Sequence, residues 1–119
     1  MVNSILIMIT KAPYGRENVY GGLYTAIACL ERKLSVTVVL VNDGVYSAMK
    51  GQASYKTLGY PNIEDLFYAL FPPAKIFVDQ SSMDERGIQK EDLIEIVEVI
   101  DEEELLNRIR EHGEAIITY

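Results

Sequence analysis

Ile5-Leu6-Ile7-Met8-Ile9 is an unbroken apolar run, ended by Thr10 and followed by the loop Lys11-Ala12-Pro13-Tyr14-Gly15-Arg16. Such a run has no polar side, so a strand built from it needs both faces covered. That requirement selects an α/β layer architecture with a parallel sheet inside. Val36 to Val41 is a second run of the same kind. In open sheets of this class ligands bind beyond the carboxyl ends of the strands, so the loops that follow the strands are the places to look for function.

At 119 residues the chain reads as one domain, residues 1–119, with room for one core. Its longest apolar runs fall far short of the ~20 residues of a membrane helix, and no basic flank with a cleavage site opens the chain. A soluble, cytoplasmic protein is expected. The single cysteine, Cys29, excludes an internal disulfide and a cysteine-based zinc cluster, and it fits a reducing compartment. A net charge of −7 speaks against nucleic acid, which is bound through clustered Lys and Arg. Much of the acid lies late, in Glu91-Asp92 and Asp101-Glu102-Glu103-Glu104, and reads as a solvated helix face. Hydrophobic residues make up 49% of the chain and eight residues are Tyr, which suggests apolar surface closing against other subunits.

Pattern and punctuation place five strands. Ser4 to Thr10 leads to a helix from about Arg16 to Lys33, with Val19, Leu23, Ala26, Ile27 and Leu30 at helical spacing. Gly21-Gly22 inside it predicts close approach of another backbone or a subunit. Ser35 to Val41 is the second strand, and Asp43 is an expected N-cap for a short helix through Met49. Gly51 to Gly59 reads as a polar loop, and Asn62 as the cap of a helix stopped by Pro72-Pro73. Lys75 to Val78 is the third strand. Residues 79–88 form a polar loop with about one helical turn, and Ile94 to Ile100 is the fourth strand. Asp101 caps a helix to about His112, Gly113 stops it, and Ala115 to Tyr119 is the fifth strand. The pattern fits a flavodoxin-like, mostly parallel five-stranded sheet with helices on both faces, in three layers, with strand one expected between strands two and three. Tyr14-Gly15-Arg16 and Ser81-Ser82-Asp84-Arg86 would then face each other across one crevice.

Several chemistries lack their residues. The loop after strand one is neither a Walker A sequence nor Gly-x-Gly-x-x-Gly, and it lacks the hydroxyls of a flavin phosphate loop. Asp79 ends strand three where a phosphoacceptor would want an Asp, but Thr10-Lys11-Ala12 supplies no acidic partner. His112 is the lone histidine, so a Ser-His-Asp triad or a histidine metal site is not expected; neither metal nor cofactor is implied. Cys29 lies deep in its helix and reads as an inert small hydrophobe. Ser81 and Ser82 are better placed but have no base, and turn capping explains them equally well.

Taken in order, Ala12-Pro13-Tyr14-Gly15, Ala26-Ile27-Ala28, Asn42-Asp43-Gly44-Val45, Lys50-Gly51-Gln52, Gly59-Tyr60 with Ile63, and Asp84-Glu85-Arg86-Gly87-Ile88 resemble the DsrE/DsrF-like sulfur-relay family, which includes the YchN-type branch and the TusB, TusC and TusD subunits. The resemblance implies a flavodoxin-like fold and a homotrimer, hexamer or hetero-oligomer with a cysteine-bearing paralogue. It also implies a site at subunit contacts near the loop after strand three. In catalytic members a cysteine in that loop carries sulfane sulfur as a persulfide. That cysteine falls at Ser82 here. A serine hydroxyl barely ionises near neutral pH and forms no sulfur-carrying bond, so the resemblance implies a companion subunit of the TusC or DsrF kind. The residues themselves also allow a small-ligand module binding an anion through Tyr14, Arg16, Asp43, Ser82 and Arg86, and, ranked last, an enzyme using Ser82 or Asp84.

Overall fold

In a computed structural model, residues 3–13, 18–51, 62–112 and 114–119 are described. The expected strand at the N-terminus is β1 (Ser4–Ile9), followed by α1 (Asn18–Glu31) and β2 (Ser35–Leu40). A 3₁₀ segment (Asn42–Ala48) leads on to α2 (Ile63–Leu70), β3 (Lys75–Asp79) and α3 (Gln80–Glu85). The chain ends with β4 (Glu98–Ile100), α4 (Glu102–His112) and β5 (Ala115–Thr118). The strands form one sheet in the order β4-β3-β2-β1-β5, and every pairing is parallel.

The alternating sides of the buried runs supply two cores. Ile5, Ile7, Ile9, Val36, Val38, Leu40, Ile76 and Val78 face α1 and α2, where Val19, Leu23, Ala26, Ile63, Phe67 and Leu70 close over them. Leu6, Val39, Val41, Phe77 and Ile100 face the other way and are covered by Leu105 and Ile109 of α4. Helices on both faces are what strands without a polar side require.

The expected strand order is wrong in one respect. β1 lies between β2 and β5, so β2, not β1, is the neighbour of β3. The first four strands are added in chain order, and only the last crossover, through α4, passes over the second face and returns to the free edge of β1. Right-handedness fixes the hand of each crossover but not the direction in which a strand is added, and nothing in the residue pattern of β3 shows which neighbour it takes.

Local expectations fared unevenly. Asp101 caps α4, its Oδ1 accepting from the Glu104 N–H at 2.9 Å. Asp43 caps nothing, since Val41 is the capping residue of a 3₁₀ segment rather than an α-helix. Asn62 takes the expected N-cap position of α2, its carbonyl accepting the Leu66 N–H at 3.2 Å, but its side chain makes no capping bond to the backbone and its amide instead reaches Asp65 Oδ2 at 3.5 Å. The fourth strand is shorter than expected, because Leu93 bridges Met49 and the Ile94 N–H bonds to Ala48 O at 2.8 Å, which takes this part of the run out of the sheet. The stop at Gly113 and the loop between Gly51 and Gly59, beyond Gly51 itself, lie outside the described residues.

Gly21 and Gly22 admit a side chain of the same protein rather than another backbone. A Cβ on Gly21 would stand 3.3 Å from the Tyr119 ring, and one on Gly22 3.2 Å from both that ring and Ile9 Cδ1. Tyr119 is pinned there by its hydroxyl, 2.6 Å from Thr25 Oγ1, and by backbone bonds to Met8 and Thr10.

Candidate functional site

The carboxyl ends of β2 and β3 are adjacent, so the segments that follow them meet. β3 ends on Asp79, and the chain turns at once into α3, with Asp79 as its N-cap. One carboxylate oxygen, Asp79 Oδ2, accepts from the Ser82 N–H at 3.2 Å, from Ser82 Oγ at 2.6 Å and from Ser81 Oγ at 3.1 Å. Asp79 and Ser82 are buried, at 7% and 4% exposure. The Ser82 hydroxyl also accepts the Asn42 N–H at 2.9 Å, so the residue ties α3 to the chain leaving β2.

Arg86 makes the second tie. Its Nε donates to Asp43 Oδ1 at 3.0 Å and one terminal nitrogen donates to the Ser82 carbonyl at 3.1 Å, with Glu85 at 3.5 Å. Gly44, next to Asp43, lets the 3₁₀ segment pass against β1: a Cβ there would overlap the carbonyl of Ile9. The Asn42-Asp43-Gly44 sequence therefore supplies a backbone donor to Ser82, a carboxylate to Arg86 and a position without a side chain.

Of the residues expected at the site, the structure brings together Asp43, Ser82 and Arg86. Ser81 is exposed beside them, and Asp84 turns aside, accepting from Gln80 Nε2 at 2.8 Å. Tyr14, Gly15 and Arg16 lie outside the described residues. With β2 between β1 and β3, it is the segment after β2 that meets the loop after β3, and the crevice expected between the loops following β1 and β3 rests on a strand order the sheet does not have. Sequence reasoning missed Asp79 as the organiser of the loop, and Asn42 as a donor. The available signal was spacing: an Asp followed three residues later by the N–H it caps is the usual start of a helix.

This arrangement braces more than it reacts. Both hydrogen-bonding directions of the Ser82 hydroxyl are used, toward a carboxylate and from a backbone amide, and two guanidinium nitrogens of Arg86 are engaged. Cys29 lies near the opposite end of the sheet, where the Leu34 N–H bonds to Cys29 O just before β2 begins. Two shallow depressions, about 350 and 190 Å³, share Lys50, Leu93, Ile94 and Glu95 and hold none of the expected site residues. Tyr68 lies beside the smaller one, its phenol pushed up by desolvation, followed by the charges of Glu95 and Glu64. Among the described residues no group of three or more His, Cys, Asp or Glu is placed to hold a metal ion, and no helix is long and apolar enough to cross a membrane.

Fold and site together define a five-stranded parallel α/β domain with its polar network on the loops after the second and third strands. Residues 3–119 match the model of the DsrE/DsrF-like family, and the chain belongs to that family. It is similar to an uncharacterised protein of Methanopyrus kandleri, 30% identical over 97% of this chain and 93% of that one. It is also similar to the intracellular sulfur oxidation protein DsrF of Allochromatium vinosum, 30% identical over 81% of this chain and 71% of that one. The crystal structure of YchN from Escherichia coli superposes with a TM-score of 0.87 at 26% identity, covering 99% of this chain and 100% of that one.

Proposed function

We propose that this chain is a non-catalytic, cytoplasmic subunit of a sulfur-relay assembly, a companion of the TusC or DsrF kind that does not itself carry sulfur. One observation carries the reading: Ser82, the position to which the resemblance assigns the family's cysteine, is buried and held between the Asp79 carboxylate and the Asn42 N–H. Carrying sulfane sulfur requires a thiolate to attack the donor sulfur, form an S–S bond and expel the donor's leaving group. Ser82 offers no such atom, and its oxygen is already committed. In this reading Asp79, Ser81, Ser82, Arg86, Asp43 and Asp84 shape a braced loop at a subunit contact, either in a homotrimer or hexamer of this chain or in a hetero-oligomer where a cysteine-bearing paralogue meets it, and no cofactor takes part. Arg86, one of the two cations of the anion-binding alternative, is engaged with Asp43 and Ser82, which speaks against that alternative.

The reading is tested at Ser82 itself. In a Cys29→Ser background, Ser82→Cys puts a thiol at a site that is 4% exposed and 2.6 Å from a carboxylate oxygen. Burial and a neighbouring negative charge both disfavour the thiolate. Alkylation is expected to run at least about tenfold slower than for a surface thiol, the change produced by one unit of raised pKa, and a polysulfide donor is expected to leave no persulfide at this position. Fast alkylation together with a stable persulfide would mean that the site is a catalytic one disabled by a single substitution, and the bracing role would fall.

A further inference from the structure

The two edges of the sheet are protected unequally. β4 carries the exposed charge of Glu98, which discourages pairing by bringing like charges together. β5 is Ala115-Ile116-Ile117-Thr118, with no charge, no proline and no bulge, and no other strand covers its outer side among the described residues. Ile116 is 47% exposed and Ile117 37%. Natural edge strands are usually blunted, so an open, neutral, β-branched edge is an invitation to pair.

The register shows which backbone groups are open. Tyr119 directs both its N–H and its C=O at β1, bonding to Met8 O and to the Thr10 N–H. Strand groups alternate sides, so Ile117 and Ala115 also face β1, while Ile116 and Thr118 direct theirs outward. We propose that this edge pairs antiparallel with β5 of a second copy about a two-fold axis at Ile117, joining two sheets into one of ten strands.

The strand is self-complementary in this register. Ile116 of each copy stands opposite Thr118 of the other, and the two pairs exchange four hydrogen bonds that use every outward group of the segment. Ile117 meets its own counterpart in the closely spaced, non-hydrogen-bonded position, where Cα atoms come within about 4.5 Å. Ile116 and Ile117 project from opposite faces, so the seam removes apolar surface from water on both. α4 lies over β1 and β2, and its Leu106 is 48% exposed. An interface of this kind is isologous and closes on itself without forming a filament. It deepens the oligomeric part of the reading above by naming one interface, but it does not depend on sulfur chemistry, and its test reads the interface alone.

Two measurements test it. In the Cys29→Ser background, Ile117→Cys is expected to cross-link to a covalent dimer under mild oxidation. Ile116→Cys is expected not to, because its counterpart lies diagonally at about 7–8 Å, outside the usual Cα range of a disulfide. Thr118→Pro removes two of the four bonds without touching the β1 ladder, since the lost N–H points outward. Sedimentation equilibrium is expected to show a mass twofold below that of the parent protein, with an unchanged far-ultraviolet spectrum. The proposal is overturned if Ile117→Cys and Ile116→Cys cross-link equally or not at all, or if Thr118→Pro folds and keeps the parent mass.

Discussion

Asp79→Ala is expected to lower the melting temperature by roughly 6–25 °C, at about 3–5 °C per kcal/mol for a domain of this size. Loss of the cap costs about 1–2 kcal/mol. The Ser82 hydroxyl, left buried without an acceptor, adds about 1–3 kcal/mol. Asn is itself a good capping residue, so Asp79→Asn should fall between Asp79→Ala and the parent. Ser81→Ala should stay within about 0.5 kcal/mol, because Ser81 is exposed and loses one bond at 3.1 Å. Thermal denaturation of the three variants gives the order directly. An Asp79→Ala protein as stable as the parent would mean that the carboxylate does not brace the loop, and the structural role assigned to Ser82 would go with it.

Gly44→Ala is expected to be worse, at about 4 kcal/mol or more, the range reserved for clashes that cannot relax. The added Cβ would overlap the Ile9 carbonyl, which is backbone at the fully buried end of β1. Neither partner can yield easily. Ile9 O accepts the Val41 N–H at 3.0 Å and the Gly44 N–H bonds to Val41 O at 2.9 Å, so moving the 3₁₀ segment breaks the ladder end as well. Gly51→Ala makes the contrast. Its φ of +83° is strained for a side chain, but among the described residues no atom lies within 4 Å of the added Cβ. The expected cost is about 1 kcal/mol. Urea denaturation separates the two, and equal midpoints would contradict the close passage at Gly44.

What could be read from the residues alone follows the reach of each signal. Ile5 to Ile9 and Val36 to Val41 announce buried strands because burial on both faces leaves no polar alternation, and the structure has both. Asp101 announces its helix because a cap acts within three residues. Strand order has no such local expression, which is why the expected place of β1 between the second and third strands does not hold. Ile94 to Val97 alternates like a strand, yet Leu93 and Ile94 turn to Met49 and Ala48, partners more than forty positions earlier in the chain. Gly21-Gly22 correctly signalled a close approach, but only the packed fold reveals that the visitor is the Tyr119 ring.

The site divides in the same way. Asp43 and Arg86 belong to the short motifs that carry the family resemblance, and Ser82 stands two residues ahead of Asp84-Glu85-Arg86-Gly87-Ile88. Their mutual contacts were not legible. The Arg86–Asp43 pair spans 43 positions and the Asn42–Ser82 bond 40, and both exist because β2 and β3 are neighbours. The unexpected strand order is therefore what joins Asp43 to Arg86 and Asn42 to Ser82.

The proposal that Ser82 stands in a sulfur-relay loop without carrying sulfur has a simple readout. Intact-protein mass measured after incubation with a polysulfide donor, on the natural sequence and on Cys29→Ser, tests it most directly. No added sulfur is expected on Cys29→Ser, and on the natural sequence only labelling that disappears with Cys29. A gain of one sulfur atom that survives the loss of Cys29 would contradict it.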